Sequence, residues 1–159
     1  MTEEGPGRVA RPKTIDDLLE EKRAGLRRIS PKDALAIARR DGLIVDMRSE
    51  FQRQEQGLVP GAYFVPRNVL EWRAAPTCEF HDPDLAAVTG PLILMCHQGY
   101  QSSLAAATLQ ELGVTGATDM IGGFELWEAS GLPVLFGGDG VEEADRPAVK
   151  MPRVLSWRF

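Results

Sequence analysis

Apolar residues along this chain fall into short unbroken runs separated by stretches of helical period. Leu43-Ile44-Val45, Ala62-Tyr63-Phe64-Val65 and Leu92-Ile93-Leu94-Met95 are the runs, and Ala117 to Ile121, interrupted by Thr118 and Asp119, is a further predicted strand. Consecutive apolar positions, rather than alternating ones, are the mark of strands buried on both faces. A helix is predicted from Ser30, which suits the N-cap, with Pro31 at the first helical position and Asp33 in the first turn. Ala34, Ile37 and Ala38 form its apolar face, and Gly42 ends it. A second well-marked helix runs from Ser103 to Leu112, with Ala105, Thr108, Leu109 and Leu112 on one face and Gly113 as its stop. Shorter helices are expected over Val69–Arg73, Asp84–Val88 and Phe124–Ser130, the last halted by Gly131 and Pro133. Gly57 to Gly61 and Pro76 to Pro83 read as loops. Strands alternating with helices give an α/β fold with a mostly parallel sheet.

The ends are different. Residues 1 to about 13 are polar with Gly and Pro and read as disordered. Ile15 to Arg28 is an amphipathic lead-in, with Ile15, Leu18, Leu19 and Leu26 among many charges. It reads either as a solvated arm or as a cover over the sheet edge or an oligomer contact. From about Gly137 the chain reads as a tail, although Val154-Leu155-Ser156-Trp157-Arg158-Phe159 is apolar enough to dock on the domain or on a second copy. The division is therefore an arm over 1–26, a domain over 27–136 and a tail over 137–159.

Composition narrows the classes. The net charge of −5 gives no reason to expect binding to nucleic acid or to an anionic membrane surface. No apolar stretch approaches the roughly 20 residues of a membrane span. Met1 to Lys13 lacks the apolar core of a signal peptide, and two cysteines are too few for a disulfide-built domain. A reducing cytoplasm is expected, which would also keep a reactive thiol free.

The candidate chemistry centres on Cys96. It follows the run Leu92–Met95 directly and opens Cys96-His97-Gln98-Gly99-Tyr100-Gln101-Ser102, after which the helix begins. Ligands in open α/β sheets sit beyond the carboxyl ends of the strands. The free N–H groups and the dipole of a helix N-terminus favour negative charge there, and such settings promote thiolate formation by cysteines in general. A buried structural cysteine would fit better inside the strand than at its end.

Val45 to Arg48, Gly57 to Ala62, Cys96 to Ser102, and Met120 to Trp127 with Gly131 to Val134, taken together and in this order, resemble the single-domain rhodanese-like sulfurtransferase family. Val45-Asp46-Met47-Arg48 resembles its Asp-x-Arg strand end, and Gly57-Leu58-Val59-Pro60-Gly61-Ala62 its Gly-His-Ile-Pro-Gly-Ala loop. The Cys96–Ser102 segment resembles its Cys-x-x-Gly-x-x-Ser active loop. Met120 to Trp127 with Gly131-Leu132-Pro133-Val134 resembles its C-terminal signature. The resemblance implies a five-stranded, mostly parallel sheet with helices on both faces. It implies that Cys96 attacks a sulfane-sulfur donor such as thiosulfate, becomes a persulfide and passes the sulfur to a thiol or to cyanide. His97, Gln98, Gly99, Tyr100, Gln101 and Ser102 would surround the sulfur. Asp46 and Arg48 would brace the fold, with Glu55 as a further partner. No cofactor or metal is called for. The expected partners are a small donor and a thiol acceptor, or a protein persulfide, with homo-oligomers formed through the tails.

Gln101 stands where many active members of that family carry arginine, which would add a cation beside the thiolate and bind an anionic donor. Leu58 replaces a frequent histidine. Arg67 and Arg73 are the candidates for the missing donor-binding cation, with surface ion pairing as their other reading. Trp72 reads as pocket wall or core. The uncharged Gln101 also admits a non-catalytic or regulatory binding module, or a sulfur carrier with little thiosulfate turnover. Phosphate chemistry is disfavoured, because neither Gln101 nor Ser102 is the arginine that clamps phosphate. A Cys–His protease pair would need a histidine facing Cys96, and only His81 and His97 exist. A zinc site built from Cys78, His81, Cys96 and His97 has an awkward adjacent pair as its second half. Cys78 reads as an incidental loop cysteine or a resolving thiol.

Overall fold

A computed structural model describes residues 11–136. The expectations for residues 1–10 and for the tail, including docking or assembly through Val154–Phe159, lie outside the described residues. Four parallel strands form one sheet in the order β2-β1-β3-β4, with β1 at Leu43–Asp46, β2 at Tyr63–Phe64, β3 at Leu92–Met95 and β4 at Ala117–Asp119. Leu43, Ile44, Val45 and Asp46 pair in register with Leu92, Ile93, Leu94 and Met95.

Side chains leave the sheet alternately, so both faces carry a core. Leu43, Val45, Leu92, Leu94 and Cys96 join Ala105, Ala106 and Leu109 of helix α6 (Gln101–Glu111) on one face. Ile44, Ile93 and Met95 join Ala34 of α2 (Pro31–Ala38) and Phe124 and Trp127 of α7 (Gly123–Ala129) on the other. The alanines of α6 bring its backbone close to the sheet, which steadies the loop at its N-terminus.

The sheet has four strands among the described residues, against the five implied by the resemblance. The remnant of another is one parallel bridge between Ile29 and Met120. Ile29 N–H donates to the Asp119 carbonyl at 3.0 Å, and Ile121 N–H to the Ile29 carbonyl at 2.9 Å. The pairing cannot lengthen, because Ser30 caps α2 and Pro31 starts it without an N–H to give.

The lead-in folds as α1 (Ile15–Arg23), with a capping box between Thr14 and Asp17. It lies on α6 with Leu19 buried, and Lys22 pairs with Glu111 at 2.9 Å. The segment is therefore packed on the domain rather than a solvated arm, but it covers α6 and not the expected sheet edge. Helix α3 (Glu50–Gln56) follows β1 with a Ser49–Gln52 capping box, where no helix was expected. A 3-10 turn over Arg67–Val69 leads into α4 (Leu70–Ala74), and α5 is Pro83–Ala86. No helix among the described residues is long and apolar enough to cross a membrane.

Candidate active site

Cys96 follows the last residue of β3 and is 3% exposed. Its Sγ accepts the Gly99 N–H at 3.1 Å and lies 3.2 Å from Ser102 Oγ, to which the thiol donates. Of the loop residues expected to surround the sulfur, Gly99 and Ser102 are therefore the two that hydrogen-bond with it. The loop's carbonyls are drawn the other way. Phe124 N–H takes the Cys96 carbonyl and Glu125 N–H the His97 carbonyl, both at 2.9 Å. The first turn of α7 thus holds the start of the loop, leaving its donors for the sulfur.

Two glycines make this geometry possible. Gly99 has φ +82°, and a Cβ there would stand 2.8 Å from the Gly122 nitrogen. Gly123 has φ +60°, and a Cβ would stand 2.5 Å from the Cys96 carbonyl oxygen. Both require the left-handed region in a place without room for a side chain. Gly99→Ala is expected to cost about 1–3 kcal/mol of stability and to slow alkylation of Cys96, because Gly99 N–H is displaced from Sγ. Denaturant unfolding and thiol labelling check this; an unchanged midpoint and rate would show that the loop does not depend on that peptide.

Below the loop lies a polar cluster that sequence reasoning missed. Asp119, the last residue of β4, is fully buried. Its Oδ1 accepts from Arg28 Nε at 2.9 Å and its Oδ2 from Arg28 Nη2 at 3.1 Å, a two-pronged ion pair. Oδ2 also accepts from Ser103 Oγ at 2.7 Å and Ser102 Oγ at 3.2 Å. A hydrogen-bond chain therefore runs from the Cys96 thiol through Ser102 to Asp119. Arg23, the last residue of α1, donates through Nε to Ser103 Oγ at 2.9 Å and through Nη2 to the Gly99 carbonyl at 2.8 Å. Arg28 Nη2 reaches the same carbonyl at 3.1 Å.

Three of the remaining loop side chains, those of Gln98, Tyr100 and Gln101, face outward. Gln98 Nε2 donates to Glu125 at 2.9 Å, Tyr100 is 55% exposed, and Gln101 is exposed at the first position of α6. His97 is half-buried, and its Nδ1 has no hydrogen-bond partner. Arg67 and Arg73 are committed elsewhere. Arg67 Nη1 pairs with Glu71 at 2.6 Å; Arg73 donates to the Phe80 carbonyl at 2.8 Å and lies 3.7 Å from Asp82. Neither forms a hydrogen bond with the Cys96–Ser102 loop, whereas Arg23 and Arg28 do. Trp72 is 58% exposed, so it is not core.

Asp46 and Arg48 form the brace. Arg48 donates through Nε and Nη2 to the two Asp46 oxygens at 3.0 and 2.9 Å, and through Nη2 to the Gly57 carbonyl at 2.9 Å. Its Nη1 reaches Gln56, not the expected Glu55, at 3.2 Å. Its guanidinium also lies 3.8 Å from the centre of the Phe124 ring. The brace thereby touches the helix that holds the cysteine loop.

Cys78 is free and half-buried between α4 and α5, where its carbonyl lies 2.7 Å from His81 Nδ1. Among the described residues no cluster of three or more His, Cys, Asp or Glu side chains is placed to hold a metal. A cleft of about 980 Å³ is lined by Arg40, Pro91 and Gly116 and reaches Arg28, but Cys96 is not among its lining residues.

The pattern described as Rhodanese-like domain matches residues 30–130. A protein named Thiosulfate sulfurtransferase GlpE from Pseudomonas entomophila is 31% identical over 105 residues, covering 65% of this chain and 86% of that protein. The protein of that name from Haemophilus influenzae is 27% identical over 106 residues, covering 67% and 91%. Among solved structures, a Rhodopseudomonas palustris protein of unknown function, described as a possible tyrosine phosphatase, is 26% identical with a TM-score of 0.71, over 82% of this chain and 99% of that one. The polysulfide-sulfur transferase homodimer from Wolinella succinogenes is 25% identical with a TM-score of 0.56, over 79% and 90%.

Proposed function

This chain belongs to the rhodanese-like domain family, and from that premise we propose that it is a rhodanese-type sulfurtransferase with Cys96 as its nucleophile. The observation that carries the reading is the Cys96 sulfur at the end of β3, facing the Gly99 N–H at the N-terminus of α6. The sulfurtransferase relatives cover most of the domain and support the same activity.

In the proposed cycle Cys96 thiolate attacks the outer sulfur of a donor such as thiosulfate. The donor's S–S bond breaks, and sulfite leaves with the electron pair. A Cys96 persulfide remains. An acceptor thiolate, or cyanide, then attacks the terminal sulfur, and the S–S electron pair returns to Cys96. The Gly99 N–H and the helix end stabilise negative charge on sulfur through both displacements. Ser102 holds one proton between Cys96 and Asp119. When Cys96 is anionic, the Ser102 hydroxyl turns to donate to it, while Asp119 keeps Arg28 and Ser103.

A thiol or protein persulfide partner suits the exposed outer side of the loop at Tyr100 and Gln101. Free Cys78 and Cys96 suit a reducing compartment such as the cytoplasm. Phosphate transfer is disfavoured, because residues 96–102 carry no arginine to clamp a phosphoryl group. The uncharged Gln101 supports a second reading, a sulfur carrier or regulatory module that turns over thiosulfate poorly.

Thiocyanate formation from cyanide with thiosulfate, mercaptopyruvate and a low-molecular-weight persulfide tests the reading. Turnover of at least one donor is expected, and none with any of the three favours the regulatory module. Gln101→Arg is expected to lower the KM for thiosulfate about threefold, the scale of one added charge-assisted contact near a surface. An unchanged KM would show that charge at this position does not limit donor binding.

A further inference from the structure

Helix α1 ends in Lys22-Arg23, and Arg27-Arg28 follow just before the bridge at Ile29. All four precede the 30–130 match, yet two of them reach the cysteine loop. The Arg23 and Arg28 guanidinium groups converge on one acceptor, the Gly99 carbonyl, at 2.8 and 3.1 Å. Gly99 is also the residue whose N–H faces Cys96 Sγ. Arg28 is paired with Asp119, whereas Arg23 has no carboxylate partner among the described residues. Two guanidinium groups against one carboxylate leave a net positive charge beneath the loop. Arg23 is half-buried, with its guanidinium carbon 5.7 Å from the centre of the Tyr100 ring, so its field is only partly screened by water.

We propose that the N-terminal helix completes the active site, with Arg23 as the positioning residue that fixes the Gly99 peptide against Cys96 Sγ and supplies the positive charge absent at Gln101, favouring anionic donors. Leu19 and the Lys22–Glu111 pair seat the helix on α6 so that Arg23 reaches its two acceptors. Arg28 and Asp119 are the fixed wall behind them. The proposal rests on Cys96 being the nucleophile, but its test requires no sulfur transfer and fails independently of that reading.

The test is alkylation of Cys96 in the full-length chain, followed on the Cys96 peptide by mass spectrometry, with neutral iodoacetamide and anionic iodoacetate at one pH and low salt. In Arg23→Gln the iodoacetamide rate is expected to fall about threefold, because the Gly99 peptide facing Sγ is no longer fixed, and the iodoacetate rate about tenfold, because the attraction of an anion weakens as well. The ratio of the two rates is the decisive readout, because a purely structural role would slow both reagents alike. Arg23→Lys is expected to restore the ratio while leaving the iodoacetamide rate below that of the parent, since lysine keeps the charge without the two-armed contact. Rates and ratio unchanged in a folded Arg23→Gln protein would overturn the proposal, as would a fall by the same factor for both reagents. If Arg23→Gln does not fold, the salt dependence of the parent decides: the iodoacetate-to-iodoacetamide rate ratio is expected to fall as ionic strength rises, and a ratio that does not change overturns the proposal.

Discussion

Cys96→Ser is expected to lower sulfur transfer at least about a thousandfold, equivalent to roughly 4 kcal/mol of barrier, while the protein stays folded. Serine is nearly isosteric, and its oxygen retains an acceptor for the Gly99 N–H and a partner for Ser102. A hydroxyl is not ionised near neutral pH, however, and the structure offers it no strong base. Ser102 is itself a hydroxyl, and Asp119 behind it is engaged by Arg28 and Ser103. Thermal unfolding alongside a cyanide assay separates the two effects. A midpoint within a few degrees of the parent with no turnover is the expected pair of results. Full transfer in the variant would remove Cys96 from the chemistry.

The largest stability effect is expected from Asp46→Ala. Its carboxylate accepts from Arg48 Nε, Nη2 and main-chain N–H, and Arg53 Nε lies 3.3 Å away. The Arg48 side chain is fully buried. Removing Asp46 strands that guanidinium with the Gly57 carbonyl and Gln56 as its remaining hydrogen-bond acceptors. Breaking one side of a buried pair typically costs about 3–5 kcal/mol. For a domain of this size that lowers the thermal midpoint by roughly 10–20 °C. Because Arg48 stacks on Phe124, the first turn of α7 loosens, and with it the contacts to the Cys96 and His97 carbonyls. Loss of less than about 1 kcal/mol in denaturant unfolding would mean that the pair is a surface-like contact.

The central strands were legible because doubly buried strands are written as unbroken apolar runs. Leu92–Met95 appears in the structure with the bounds the pattern gives. Cys96 was legible for a related reason: a thiol directly after such a run, before a glycine loop and a helix, has few other uses. Helix α3 was missed because its only large apolar residue, Phe51, is 71% exposed. Its one local signal was the Ser49–Gln52 capping box. The strand at Ile29 shrinks to one bridge because Ser30 and Pro31 begin a helix at the next residue, a limit that Pro31 announces in the sequence.

The cluster beneath the loop was not legible from local pattern. Arg28 and Asp119 are 91 residues apart, and Arg23 and Gly99 are 76 apart. Only the folding of α1 onto α6 brings them together. One hint existed in Asp119, a lone carboxylate inside the predicted strand Ala117 to Ile121, since a buried carboxylate needs a cation. The sequence could not say which of 18 basic residues it takes. Arg67 and Arg73 were nearer candidates by motif, but a helical i,i+4 neighbour takes Arg67 and the Asp82 turn takes Arg73.

The most direct test of the account is the intact mass of the reduced protein after incubation with thiosulfate, beside Cys96→Ser. The account predicts a gain of one sulfur in the parent, lost on adding cyanide, and no gain in the variant. A gain that survives in Cys96→Ser, or a parent that takes up no sulfur from thiosulfate, mercaptopyruvate or a persulfide donor, would contradict it.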